Sequence, residues 1–183
     1  FGVPLLMTYG EFMMLRSLMG PPPDPLPQSH RDFYARAGVT DEELDHMVGA
    51  MRKDPFMPKP PSSYQRIRSG EVLQVGERQW RIVLGEGHSP EHACLYCEED
   101  GILLAGDQVL PRITSNVMVS PIEPEGNPLK DWMASLQRLH SLPADTLVLP
   151  SHQGVFSGLH ERLDQIRAHH EPPFDLLKSH LQH

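Results

Sequence analysis

Three short apolar segments in the second half of the chain each end in a polar loop that carries histidine or aspartate. Short apolar runs bounded by turn residues are typical of buried β-strands. Because strands hold their ends rigidly, such loops can bring distant side chains to one point. We therefore expect His88, Asp107 and His152 to converge. The three loops are Gly-His-Ser-Pro-Glu-His at 87–92, Gly-Asp-Gln at 106–108 and Pro-Ser-His-Gln-Gly at 150–154.

Imidazole and carboxylate groups are suitable ligands for zinc, manganese or iron, so these three residues are candidate metal ligands. A carboxylate between two cations can bridge them, which makes Asp107 the natural shared ligand of two metals about 3.5–4 Å apart. Each residue has an ordinary alternative when taken singly. His88 could be a turn or surface histidine, Asp107 could stabilise a turn, and His152 could cap the following loop. Their order and their strand contexts favour the metal site.

The first third of the chain has mainly helical patterns. Residues 3–7 predict a short buried strand, and helices are predicted over 11–19 and 31–37. Thr40 and Glu43 form a predicted capping box for a third helix, whose apolar positions recur at helical spacing. These positions are Leu44, Met47, Val48 and Met51. A proline-rich connector at 55–61 cannot be regular helix.

From residue 71 onward the pattern changes to strands and amphipathic helices. Two β-hairpins are predicted, over 72–84 and 93–105, followed by a helix that Asn127 caps and Pro128 begins. A strand at 147–149, a helix over 159–170 and a further helix from Phe174 complete the prediction, with Pro172-Pro173 as a candidate boundary. Cys94 and Cys97 are interpreted as plain strand residues that point to opposite faces.

Length and composition indicate one globular domain. A net charge of −8 argues against a nucleic acid as the main partner, because phosphate backbones require a basic face. The sequence contains no run of about 18 apolar residues and no visible signal peptide, so we expect no membrane partner and a cytoplasmic location. A small molecule is the expected substrate.

The order Gly-His-Ser-Pro-x-His, strand-Gly-Asp-Gln, strand-Pro-Ser-His-x-Gly resembles the metallo-β-lactamase superfamily. The branch it resembles most is that of the glyoxalase-II-like hydrolases with a helical insert and a C-terminal winged helix. The resemblance implies an α/β fold, a partial αββα sandwich. It also implies a domain at 1–170 that contains a helical insert at 11–57 and lacks its N-terminal strands, followed at 171–183 by the start of a truncated extension.

The resemblance also implies roles for individual residues. His88 matches the third histidine of the first metal site, Asp107 the bridging aspartate, and His152 the last histidine, on the second metal. His92 matches a position that supports the ligands or packs beside them without binding metal. The loop after Asp107 borders the cleft in the family, which makes Arg112, Thr114, Ser115 and Asn116 candidate substrate contacts; the alternative is a purely structural connection.

The insert is expected to lie over the same cleft. Its aromatic residues Phe33, Tyr34 and Phe56 would either shape a pocket as part of a lid or only pack the insert against the sandwich.

The family signature H-x-H-x-D-H is missing from this sequence. Most of the family's metal ligands are therefore absent, and the chain is interpreted as a fragment. The resemblance implies two divalent metals, with zinc as the first choice, in the parent enzyme. For this chain we expect weak metal binding or none, and an uncovered apolar face that favours a homodimer.

The favoured function is metal-dependent hydrolysis of an ester- or thioester-like substrate, crippled in the fragment, in which Asp107 has a catalytic role by helping to hold the nucleophile. One alternative is a phosphodiesterase or ribonuclease of the same superfamily. The other is a non-catalytic interaction domain that has lost its metal centre.

Overall fold

The first part of the chain is helical. A computed structural model describes residues 3–18, 20–55 and 61–181, without the side chains of Leu18 and of 171–181. Strand β1 (Leu6–Met7) precedes helices α1 (Tyr9–Leu18), α2 (Gln28–Arg36) and α3 (Asp41–Lys53), and strand β2 (Gln65–Arg66) pairs in parallel with β1.

The capping box that begins α3 is confirmed. The Thr40 hydroxyl accepts from the Glu43 amide, and the Glu43 carboxylate accepts from the Thr40 amide. Leu44 and Val48 are buried in a small core between the helices, against which Tyr34 packs. Tyr34 therefore packs within the insert, whereas Phe56 lies outside the described residues.

A five-stranded sheet forms the centre of the second part of the chain. Its strands are β3 (Val72–Val75), β4 (Arg78–Gly85), β5 (His92–Cys97), β6 (Ile102–Gly106) and β7 (Leu147–Pro150), in that spatial order. The first four pair antiparallel, as both predicted hairpins require, and β7 pairs in parallel with β6.

One face of this sheet is covered by two helices, α4 (Pro128–Leu139) and α5 (Leu159–Leu181). Asn127 caps α4 by accepting from the Lys130 amide, as predicted. The main core joins strand residues such as Cys94 and Leu103 to helix residues such as Trp132 and Leu163, all of them fully excluded from solvent. Burial of this apolar surface is the main stabilisation of the sheet and helices.

The opposite face of the sheet is also apolar. The register places Ile82 opposite Leu95, Leu95 opposite Leu104, and Leu104 opposite Leu149, which forms a row across four strands. Strand alternation directs this row away from α4 and α5. A sheet that is apolar on both faces is typical of the inner layer of a sandwich. The predicted α/β class with a partial sandwich is confirmed.

The structure differs from the sequence prediction at both ends. The expected buried strand at 3–7 is reduced to two residues, and Leu6 is 38% exposed, because this segment lies outside both apolar cores. Helix α5 continues through Pro172-Pro173 instead of ending near residue 170. Proline keeps a helical φ, so a helix anchored by its earlier turns can continue despite the lost hydrogen bonds. Among the described residues, no helix is both long and apolar enough to cross a bilayer.

Candidate metal centre

The three loops singled out in the sequence meet at one edge of the sheet. The His88 Nε2 atom lies 3.5 Å from Asp107 Oδ2, and the His152 Nε2 atom lies 3.4 Å from Asp107 Oδ1. Strands β6 and β7 run parallel and therefore end together, which places Asp107 and His152 side by side. The antiparallel strands β4 and β5 bring the loop that carries His88 to the same edge.

The spacing of these atoms fits ligands that share a cation. It is longer than the ~2.7–3.2 Å of an ordinary N–H···O bond. Zinc holds imidazole nitrogen and carboxylate oxygen at about 2.0–2.2 Å in tetrahedral sites, so two ligands of one zinc lie about 3.3–3.5 Å apart. Each Asp107 oxygen faces a different imidazole, so the carboxylate could supply one donor to each of two cations.

The His88 ring is oriented by a backbone contact. Its Nδ1 atom lies 2.8 Å from the Asn116 carbonyl oxygen. A carbonyl only accepts, so Nδ1 carries a proton, and in the neutral imidazole the lone pair then lies on Nε2, the atom that faces Asp107. Asn116 thus contacts the centre through its backbone.

The Asp107 loop is held by two serine hydroxyls. Ser151, next to His152, donates to Asp107 Oδ1, and Ser115 donates to the Asp107 carbonyl oxygen. The Ser151 amide also donates to the Gly106 carbonyl oxygen at 3.0 Å. The Asp107 carboxylate is therefore held by Ser151, and the backbone around it is held by Ser115 and by the Ser151 amide. His152 is less constrained, with a side chain that is 66% exposed.

His92 lies beside both His88 and Gly106. Its Nδ1 atom lies 3.2 Å from the Glu11 carboxylate, and Ser89 also donates to Glu11. Its Nε2 atom is buried, meets no hydrogen-bond partner among the described residues and faces Gly106. Burial raises the pKa of the Glu11 carboxyl, but the hydrogen bonds from His92 and Ser89 lower it more, and the net pKa lies below the ordinary value.

The contact with Glu11 was not anticipated from the sequence, where Glu11 only marked the start of a helix. It lies 81 residues before His92, and no local pattern links the two positions. Two further contacts join the start of α1 to the same loop: the Gly10 amide donates to the Glu91 carboxylate, and the hydroxyl of Thr8, just before the helix, donates to the Glu91 carbonyl oxygen. Helix α1 is thus attached directly to the loop that carries His88.

Gln108 ties the remaining elements together from inside the protein. Its side chain is fully buried and donates to the Glu86 carbonyl oxygen and to the Ser135 hydroxyl. Its backbone carbonyl accepts from the Trp132 indole. The segment after β4, the loop after β6 and helix α4 are therefore linked through one residue. The Gly-Asp-Gln motif included Gln108, but its partners became visible only in the fold.

The residues predicted to contact substrate are separated by the structure. Arg112 is exposed and lies outside both the cleft beside His88 and the cleft on the Trp132 side, and the second of these is lined by Thr114 and Asn116. The cleft beside His88 is lined instead by residues further along the same loop, including Met118 and Ile122. The role of Arg112, Thr114 and Asn116 in substrate binding stays a prediction.

The donor set of the described residues is small. Among the described residues, no group of three or more His, Cys, Asp or Glu side chains is placed so that it could hold a metal ion. The two His–Asp pairs share one carboxylate, so each supplies two donors toward a cation that takes four in a typical zinc site. The donor types and spacing fit divalent metals, and the number of donors is low.

Comparison with known proteins places this chain in a family. Residues 17–152 match the model of the metallo-beta-lactamase superfamily. An atrochrysone carboxyl ACP thioesterase of Aspergillus fumigatus is 29% identical over 151 residues, which cover 76% of this chain and 45% of that protein.

Two solved structures share the fold. A beta-lactamase domain protein from Burkholderia ambifaria is 41% identical, with a TM-score of 0.74 over 93% of this chain and 46% of its own. A metallo-beta-lactamase family protein from Thermus thermophilus is 27% identical, with a TM-score of 0.76 over 96% of this chain and 55% of its own. The chain spans about half the length of these proteins. Because the family model covers most of its residues and both structures superpose on nearly all of it, this chain belongs to the metallo-β-lactamase superfamily.

Proposed function

We propose that this chain is part of a metal-dependent hydrolase that acts on an ester- or thioester-like carbonyl. The observation that carries the proposal is the position of Asp107 between two imidazoles, each Nε2 atom facing a different carboxylate oxygen at 3.4–3.5 Å. A turn-stabilising aspartate would not require two histidines from separate loops at ligand spacing. The family membership supports hydrolysis as the general reaction.

His88, Asp107 and His152 would hold the metal ions. When bound, divalent metals supply positive charge that polarises a substrate carbonyl and activates water near neutral pH. The Asn116 carbonyl keeps the His88 lone pair directed at the centre, and Ser151 keeps the Asp107 carboxylate in place. We assign Asp107 the further role of accepting a hydrogen bond from the attacking water, which orients it toward the carbonyl.

A thioester is the first substrate class to test. Several relatives that are 28–33% identical to this chain are named as ACP thioesterases. Their activity belongs to longer proteins, of which this chain matches less than half. A phosphodiester substrate is less favoured, because the net charge is −8 and carboxylates line the cleft beside His88.

Metal binding is tested by calorimetric titration with zinc. We expect weak binding, because the described residues supply two donors to each cation. His88→Ala and Asp107→Asn should weaken it by at least about tenfold, since each removes a donor. His140→Ala is the matched control, because this imidazole pairs with Asp164 on the surface between α4 and α5. Equal binding by all variants would contradict the assignment of the site.

Hydrolysis is tested with the acetyl thioester of N-acetylcysteamine and a thiol assay. We expect a slow rate that depends on added zinc and is lost in Asp107→Asn but not in His140→Ala. Two results would contradict the hydrolase proposal and favour a non-catalytic interaction domain. One is thiol release that does not depend on zinc, and the other is release by the unmodified chain that is no faster than release by Asp107→Asn. Tight binding of two zinc equivalents would overturn only the expectation of weak metal binding.

A further inference from the structure

A cleft of about 400 Å³ opens beside His88, between the helical insert and the loop that follows β6. Its volume lies in the ~300–1,000 Å³ range of pockets that take small ligands. Gly87 and His88 form part of its wall, so the cleft is continuous with the candidate metal centre. A molecule bound in it would reach that centre directly.

The two long sides of this cleft are apolar. Helix α1 contributes Met13 and Met14, and the loop contributes Met118, Val119 and Ile122. Four of these side chains are well exposed, from 43% for Met13 to 68% for Met118. Exposed apolar side chains that face one another across a cleft mark a ligand site more often than chance surface exposure. Methionine is unbranched and flexible, so the walls can adapt to ligands of different length.

The charged residues that line the cleft are acidic. Its lining includes Glu91, Glu123 and Asp131, and a fourth carboxylate, Glu86, is paired with Arg138. Of the described residues that line it, none is lysine or arginine. A carboxylate or phosphate on the ligand would therefore meet repulsion without a compensating cation.

We propose that this cleft binds the acyl chain of the substrate and selects neutral apolar chains over anionic ones. The inference rests on the proposed function, since it places the acyl chain along the methionine walls and its carbonyl at His88. Apolar contact supplies the affinity, and the acidic lining supplies the selectivity against charged acyl groups. The site is thus a hydrophobic channel beside a charged centre.

The test measures the binding of substrate analogues without any hydrolysis. Metal-free protein labelled with ¹³C in the methionine methyl groups is titrated with N-methylalkanamides, from N-methylbutanamide to N-methyldecanamide, whose amide replaces the scissile bond. The methyl signals of Met13, Met14 and Met118 should shift and saturate, while those of Met47, Met51 and Met133, outside the cleft, stay in place. Kd should fall about two- to fourfold for each added methylene. Decanoate should bind several-fold more weakly than N-methyldecanamide, and the difference between the two Kd values should become smaller as the salt concentration rises.

Two variants provide the matched comparison. Met118→Lys places a charge in the apolar wall and should weaken N-methyldecanamide binding about tenfold. Met51 is also an exposed methionine but lies on α3, outside the cleft, so Met51→Lys should leave N-methyldecanamide binding unchanged. The proposal is overturned if no saturable shift occurs, if the control methionines shift equally, if decanoate binds as tightly as the amide, or if Met118→Lys has no effect. These outcomes need neither metal nor hydrolysis, so they are distinct from failure of the proposed function.

Discussion

His92 and Gly106 are in such close contact that a Cβ atom at Gly106 would lie 2.4 Å from His92 Nε2. Gly106 also has a φ of +54°, a left-handed conformation that favours glycine, and it directly precedes Asp107. One position therefore combines a backbone requirement with a steric one. The orientation of Asp107 depends on both.

Gly106→Ala should destabilise the protein by about 2–4 kcal/mol, because alanine adds left-handed strain and overlaps the His92 ring. Gly101→Ala is the matched control: Gly101 has a φ of +63°, but a Cβ there meets no atom within 4 Å. It should cost only about 1–2 kcal/mol of strain. Urea denaturation measures both values, and equal losses would show that contact with His92 is unimportant.

Gln108→Met should cost about 1–3 kcal/mol, because it leaves the Glu86 carbonyl and the Ser135 hydroxyl short of a buried donor. The same substitution at Gln79, an exposed position on β4, should change stability by no more than about 0.5 kcal/mol. Chemical denaturation compares the two variants. A loss at Gln108 no larger than that at Gln79 would exclude a structural role for the buried network.

Glu11→Gln should remove a pH-dependent part of the stability. The folded pKa of Glu11 lies below its ordinary value, so the carboxylate stabilises the protein above the unfolded pKa. This contribution is lost as the pH falls through the folded pKa. We expect the variant to be about 1 kcal/mol less stable at neutral pH and nearly equal in strong acid.

Denaturation as a function of pH tests this expectation. Glu77→Gln, in the exposed turn between β3 and β4, should show no such convergence. A Glu11→Gln deficit that stays constant with pH would mean that the lost contribution is not electrostatic.

The two cysteine thiols should be unreactive in the folded protein. Cys94 and Cys97 are both free and fully buried, and burial raises the pKa of the Cys94 thiol to about 12. Reactivity requires an accessible thiolate. A disulfide-exchange reagent should therefore label neither residue quickly in native buffer and both in denaturant. Rapid native labelling of Cys94, identified by mass spectrometry, would contradict the burial seen at β5.

We expect the predicted homodimer to form through strand β3. This strand forms an edge of the sheet, and its Val72 and Val75 side chains are 54% and 58% exposed. Unprotected apolar edge strands tend to pair with one another. We expect light scattering to show association that grows with concentration and that Val75→Lys reduces. Val155→Lys, at an exposed valine outside the strands, is the control. A monomer at every concentration would contradict the dimer.

Features that depend on neighbouring residues were predictable from the sequence. The Thr40–Glu43 capping box, the Asn127 cap and both hairpins form from contacts a few residues apart, so their signals lie within short windows. The convergence of His88, Asp107 and His152 was also expected, because the motifs placed each residue at a strand end and their order along the chain resembles that of the family. The same reasoning failed for helix α5, where two prolines do not end the helix.

By itself, the sequence determined most of the strands and helices, the family, and the three side chains that meet at the edge of the sheet. Only the tertiary structure decided what surrounds them: the Asn116 carbonyl on His88, the Glu11 carboxylate on His92, and the methionine cleft. The physical reason is distance along the chain. The two hydrogen-bond contacts join residues 28 and 81 positions apart, and the cleft joins segments further apart still. Such partners are brought together by packing of the whole domain.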